Sequence, residues 1–180
     1  MSRYRRARTP GATYFFTVNT YRRQNCLTEG EVISALRAAL QRVRVAHPFR
    51  IDARVVLPDH FHAVWTLLHS NANYSLRQSL LKRYTSQQVR DRIGAPQSPS
   101  RQKRRELGLW QRRFWEHKIR DDTDYARHVD YLHYNPVKHG LVCRVRDWPH
   151  STSHRFVRLG LYPPDWAGGG IEEAPGDFAG

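Results

Sequence analysis

Apolar and polar positions change period several times along the chain, and each change marks an element. Residues 12–21 (ATYFFTVNTY) are β-branched and aromatic behind a turn-forming Pro-Gly, which predicts a strand. Over 28–46, Val32, Leu36, Leu40 and Val43 recur at helical spacing, and Thr28 with Glu31 has the form of a capping box. Residues 51–57 predict a strand, Pro58-Asp59 a break, and 60–68 a second strand close enough to pair with the first. A basic helix is expected over 75–93, a polar Pro-containing loop over 94–105, and an extended aromatic and basic stretch over 110–120. Residues 121–135 predict a helix with acids in its first turn, Pro136 at its end and Gly140 as a suitable C-terminal cap. A short strand is expected over 141–146 and irregular chain after Trp148. The order strand–helix–strand–strand–helix–strand, followed by another helix, predicts an α+β fold. It would be a ferredoxin-like or RRM-like βαββαβ sheet with an added C-terminal helix. Such a fold determines no function by itself.

Charge narrows the field of partners. In 180 residues, 30 Lys and Arg stand against 16 Asp and Glu, a net charge of +14. Arg supplies most of the positive charge, and residues 77–120 hold much of it against only Asp91, Glu106 and Glu116. Arg in place of Lys is what a GC-rich genome also produces, but genome bias does not create net charge. A polyanion partner is expected, and nucleic acid is the obvious one, because guanidinium groups grip phosphate and stack on bases. Residues 161–180 reverse the sign with Asp165, Glu172, Glu173 and Asp177. We therefore expect one domain over 1–160 with a basic N-terminal arm, and an acidic Gly-rich tail over 161–180. No apolar stretch is long enough to span a bilayer and no signal peptide is visible, while Cys26 and Cys143 suggest neither a disulfide scaffold nor a zinc-thiolate site. A soluble, cytoplasmic protein is expected, with no membrane and no small-molecule substrate.

Two patterns carry chemistry. In His60-Phe61-His62, both imidazoles face one side of a strand and Phe61 the other. Two such imidazoles can hold two cis positions of a divalent metal, although two surface histidines at a strand start give the same pattern. On the helix over 121–135, Tyr125, Val129 and Leu132 form the apolar stripe, and Tyr134 falls opposite it. Asp124, His128, Tyr131 and Asn135 share a flank about 90° away. Tyr131 and Asn135 lie one turn apart, which would set a phenol beside a metal that the amide helps to hold; a packed aromatic at the helix rim fits the spacing equally.

The strings VVLPDHFHAVWTL, WQRRFWEHKIRD, HVDYLHYNPVKHGLV, DWPHSTSHRFVRLG and LYPPDWAG, in this order and spacing, resemble the REP-associated tyrosine transposases, over about residues 3–168. These form a subgroup of the IS200/IS605-like HUH single-strand nucleases linked to short palindromic repeats. The resemblance implies a ferredoxin-like palm, a catalytic Tyr131, and Mg²⁺ or Mn²⁺ held by His60, His62 and Asn135. Asn135 departs from the Gln that insertion-sequence relatives typically use. The implied reaction is cleavage and rejoining of single-stranded or hairpin DNA beside REP-like palindromes through a 5′-phosphotyrosine, by a monomer or homodimer at the bacterial nucleoid.

A phosphodiester's charge repels nucleophiles, and a metal on a non-bridging oxygen offsets it. His128 on the tyrosine's flank is a candidate proton partner, or else a surface histidine that balances charge. Candidate DNA-binding residues are Arg3, Arg5, Arg6 and Arg8 on the arm, and Arg77, Lys82, Arg83 and Arg90 on the second helix. Trp110, Arg112, Arg113, Phe114 and Trp115 mix stacking with charge in the manner of single-strand binders, although core packing would also explain the aromatics. Two other readings compete: a hairpin-binding protein with vestigial chemistry, and an RRM-like RNA-binding protein. Adjacent Phe15 and Phe16 face opposite sides, and no RNP pattern is present.

Overall fold

The computed structural model describes residues 9–93 and 108–168. The arm bearing Arg3, Arg5, Arg6 and Arg8, the loop over 94–105 and most of the acidic tail lie outside the described residues. Four strands, β1 (Thr13–Asn19), β2 (Phe49–Val56), β3 (His60–Leu67) and β4 (Trp115–Lys118), form one sheet in the order β2-β3-β1-β4. Every neighbouring pair is antiparallel. With α1 (Gly30–Ala46) between β1 and β2, and α2 (Tyr74–Gln88) between β3 and β4, this is the ferredoxin-like topology expected. A further helix, α4 (Asp122–Lys138), follows β4, and the short α3 (Arg90–Ile93) and α5 (Ser153–Arg158) are the other α-helices among the described residues.

Strand alternation divides the sheet into two faces. Tyr14, Phe16, Phe61, Ala63 and Trp65 are buried with Leu36, Leu40 and Leu81 of α1 and α2 in the main core. Phe15, Val55 and Val64 pack instead with Val129 and Leu132 of α4. The register sets Phe15 opposite Val64, Thr17 opposite His62 and Asn19 opposite His60, so both histidines lie on the face that α4 covers. Large side chains buried this fully contribute about 1.5–3 kcal/mol each, which anchors the register.

Several local expectations are corrected. No side chain caps α1; Glu29 stands at its cap position. Glu31, expected in a box with Thr28, pairs together with Glu29 against Arg92 of α3. The second helix breaks at Val89, whose N–H still bonds Thr85 O. Pro136 lies inside α4 in its last turn, and the helix runs on to Lys138. Gly140, at φ +66°, then turns the chain, with Leu141 N–H donating to Pro136 O at 2.9 Å. Residues 141–146 form no strand; they lead into a 3₁₀ turn at Val145–Asp147. The stretch after Trp148 is ordered because it seals the open edge of β2. Trp148 Nε1 donates to Val56 O at 2.9 Å, Thr152 N–H to Arg54 O at 2.9 Å, and Val56 N–H to His150 O at 2.9 Å.

Candidate active site

β3 brings His60 and His62 side by side, ring centroids 4.8 Å apart, and α4 lays Tyr131 edge-on to His62 at 5.5 Å. Both histidines are buried, as is Asn135 one turn beyond Tyr131. Each histidine is held by its Nδ1: His60 against Asp59 Oδ1 at 2.6 Å and His62 against Thr17 Oγ1 at 2.9 Å. That leaves Nε2 on each ring for a ligand, the arrangement in which a partner on one nitrogen orients a metal-binding imidazole. His62 Nε2 and both side-chain polar atoms of Asn135 are buried without a hydrogen-bond partner. Buried polar atoms left so are costly, about 1–3 kcal/mol each, and a ligand held by His62 and Asn135 would offset that cost. Two imidazoles and an amide oxygen suit a divalent ion, so these residues fit the expected metal.

The electrostatics favour neutral ligands. Burial pushes the His62 pKa well below its usual value, and the neighbouring His60, His139, Arg23 and Lys138 push it in the same direction. Burial also raises the Asp59 pKa, but its hydrogen bond to His60 and the charges of His60 and Arg23 outweigh this and lower it. Lys138 Nζ lies 5.2 Å from the centre of the Tyr131 ring. Arg23 reaches Asp59 at 3.0 Å and Asn19 Oδ1 at 2.6 Å from a left-handed backbone, as Arg22 is also left-handed. Two successive non-glycine residues in that region cost about 1–2 kcal/mol each, so the fold holds strain at the mouth of the site.

A second histidine cluster adjoins the first. His117 of β4, with Asp124 and His128 of α4, places possible metal-ligand atoms within 4.8 Å of one another. Here hydrogen bonds are made within the protein. His117 Nε2 meets Asp124 Oδ2 at 2.8 Å, Arg120 N–H donates to the same oxygen at 2.9 Å, and His128 Nδ1 meets Asp124 O at 2.8 Å. The two rings stack 4.5 Å apart. Burial would raise the Asp124 pKa, but the hydrogen bonds from His117 and Arg120 bring it down to about 2. His128, on the flank shared with Tyr131, meets that tyrosine through Phe15, against which both rings pack.

The expected DNA-binding residues divide sharply. Arg77 is buried, with its guanidinium donating to the carbonyls of His47, Pro48 and Asn73 and to Asn71 Oδ1, so it is a structural clamp and cannot meet DNA. Lys82 Nζ donates to Gln111 O at 2.9 Å and ties down the segment before β4. Trp110 belongs to the main core, with Nε1 donating to Lys82 O at 3.2 Å, and Phe114 packs on the same core beside Phe16 and Tyr74. These two aromatics are corrected from stacking surfaces to core. Arg83, Arg90, Arg112 and Arg113 are exposed, and half-buried Trp115 lies on the α4 face beside Phe15 and His117.

Sequence reasoning missed Thr17, Asp59, Arg23 and Lys138. Asp59 precedes His60 directly and was open to discovery as a histidine partner; Thr17 reaches His62 only through cross-strand register. His133 was missed as well. It is fully buried, its Nε2 and Nδ1 engaging Thr152 Oγ1 at 2.9 Å and Tyr162 OH at 3.0 Å.

A ferredoxin-like sheet with a further helix bearing Tyr131 on its second face is the fold expected of the tyrosine transposase class which the sequence resembles. The chain is 45% identical to a REP-associated tyrosine transposase of Escherichia coli K12, over 93% of this chain and 92% of that one. It is 44% identical to a Haemophilus influenzae protein assigned to the same family, over 99% and 100% of the two chains. A solved structure of a REP-associated tyrosine transposase bound to a REP hairpin superposes with TM-score 0.79 at 43% identity, covering 97% of this chain and 95% of that one. No family model matches. The chain belongs to the REP-associated tyrosine transposases, and it is a transposase-type enzyme. No helix among the described residues is long and apolar enough to cross a membrane.

Proposed function

We propose that the protein cleaves and rejoins single-stranded DNA beside REP-type hairpins, with Tyr131 as the nucleophile. The observation that carries this reading is the unpartnered, buried polar set of His62 and Asn135 beside the Tyr131 ring. His60, His62 and Asn135 would hold Mg²⁺ or Mn²⁺, which when bound withdraws charge from the scissile phosphate. Tyr131 gives up its phenolic proton and its oxygen attacks phosphorus. The bond to the 3′ oxygen breaks, that oxygen takes a proton, and a 5′-phosphotyrosine remains. The reverse step restores the phosphodiester, so no energy source is consumed. Thr17 and Asp59 hold the histidines in place and Lys138 supplies positive charge beside the phenol, whereas His128, expected as proton partner, is set apart from Tyr131 by Phe15 and belongs to the neighbouring cluster. Arg83, Arg90, Arg112 and Arg113, with the N-terminal arm, are the proposed phosphate contacts, and Trp115 a stacking surface. The similar protein solved with a REP hairpin supports the choice of DNA.

A vestigial binder would have no need of His60, His62, Tyr131 and Asn135 all intact. An RRM-like reader needs an open sheet face, and here α1 and α2 cover one face while α4 covers the other. The test is incubation with a labelled single-stranded REP-type hairpin and Mg²⁺. A covalent protein–DNA adduct is expected, absent in Tyr131→Phe and in excess EDTA. An adduct that persists in Tyr131→Phe refutes the assignment.

A further inference from the structure

On the outer flank of α4 lies a cavity of about 170 Å³, separate from the histidines. Tyr134 and Val137 form its helix wall, Val145 and Arg146 a second wall, and Trp166 with Asp165 the third. Tyr134 lies on the side of α4 opposite its apolar stripe, and the returning chain turns that face into a pocket wall. Trp166 is held flat against Tyr162, ring centroids 4.1 Å apart and planes 2° apart. Tyr162 is itself anchored, donating to Asp130 Oδ1 at 2.5 Å and meeting His133 at 3.0 Å. The aromatic wall is therefore fixed in advance of any ligand.

Size, chemistry and position select one kind of occupant. The cavity is smaller than the 300–1,000 Å³ typical of drug-sized ligands, and cavities of about 150 Å³ are known to accept one aromatic ring. Aromatic walls suit a flat ring. Arg146 is exposed at the rim, whereas the guanidinium of Arg144 is committed to Asp147 at 2.8 and 3.3 Å. Asp165 offers a carboxylate, an acceptor for an exocyclic amine. Tyr134 stands one helical turn from Tyr131, so the pocket neighbours the nucleophile along α4.

We propose that this pocket receives one unpaired nucleobase of the bound DNA strand. The base stacks against Trp166 and Tyr134, Arg146 meets its phosphate, and Asp165 favours a base bearing an amino group over thymine. The proposal rests on the DNA reading above and adds a second, non-catalytic contact that sets which nucleotide lies near Tyr131.

The test uses the full-length protein and REP-type hairpin oligonucleotides in which each unpaired nucleotide is made abasic in turn. One position is expected to weaken binding by about tenfold, the scale of one lost base–aromatic stack. In Trp166→Ala that position should no longer matter, while every other position keeps its effect. Arg146→Ala, which leaves the Tyr162 stack untouched, should weaken binding of every oligonucleotide that keeps the phosphate, and melting curves verify that both variants are folded. A Trp166→Ala loss that is equal at all positions makes the wall merely structural and overturns the proposal. So does an absence of coupling when the wild-type protein still binds the hairpin and forms the tyrosine adduct. Failure of the wild-type protein to bind any hairpin overturns the proposed function together with this site.

Discussion

Two histidine clusters lie on the same face of the sheet between strands and α4, and they differ in one respect. His117, Asp124 and His128 satisfy one another: the carboxylate accepts from an imidazole and a backbone N–H, and its negative charge faces the Arg120 guanidinium. His60 and His62 are held from behind by Asp59 and Thr17, and His62 Nε2 and the Asn135 amide are buried without a partner. The first cluster has the composition of a metal site yet is complete as a structural ion pair. The second has no carboxylate facing inward and is incomplete without a ligand. Composition alone would favour the first; hydrogen-bond accounting favours the second.

Substitutions should separate the two clusters. The largest effect expected is on cleavage. His62→Ala should reduce adduct formation at least about a hundredfold while keeping most hairpin affinity, since affinity comes chiefly from phosphate contacts. His117→Ala should leave adduct formation within a few-fold of wild type. A gel assay of the phosphotyrosyl adduct at saturating DNA reads both, and equal losses would erase the distinction.

Stability should respond in the opposite sense. Asp124→Ala leaves His117 and the Arg120 N–H without their acceptor, so a loss of about 1–3 kcal/mol in urea denaturation is expected. Asn135→Leu removes two unsatisfied polar atoms, and in metal-free buffer it should cost nothing or stabilise the fold by about 1 kcal/mol. A large destabilisation by Asn135→Leu would mean that the amide is already satisfied within the protein.

Acid should weaken the fold from two directions. The His133 pKa is pulled down to about 3, chiefly by burial and also by the charges of Arg155 and His154, so the folded state stays neutral where the unfolded chain takes a proton. Stability is then full above the unfolded value near 6.5 and falls by about 1.4 kcal/mol per pH unit below it. Asp124, depressed to about 2, adds a further loss as pH drops below the ordinary carboxylate range near 4. Urea midpoints at pH 7.5, 6.5 and 5.5 measure the first loss, and His133→Gln should flatten it if the variant folds. Metal should act on melting as well. Mg²⁺ or Mn²⁺ at about ten times its Kd should stabilise wild type by about 1.4 kcal/mol, with the shift lost in His60→Ala and kept in His117→Ala.

Much of this was legible in the chain. Strict alternation placed His60 and His62 on one face with Phe61 on the other, and the 3.6-residue period put Tyr131 and Asn135 on one flank of α4. Local rules failed where a distant partner intervened. Glu31 left the capping box because Arg92 offered a full charge. Pro136 lies within the helix although it has no N–H to give Leu132 O, and the helix ends two residues later, before the turn at Gly140. Arg77, Trp110 and Phe114 looked like DNA contacts because basic and aromatic residues serve a surface and a core equally well by type; burial decided between the two.

What the sequence by itself determined is therefore whatever depends on period and order: the four strands, the helices between them, the net positive charge, and the residue types at the tyrosine and histidine positions. Tertiary structure decided what depends on partners far along the chain. Thr17 meets His62 across 45 residues, and Trp148 closes the edge of β2 across 92. Trp166 and Tyr162 pack beside α4 to wall a pocket. The physical reason is that periodicity states which way a side chain points, whereas hydrogen-bond satisfaction and burial depend on what the completed fold brings to meet it.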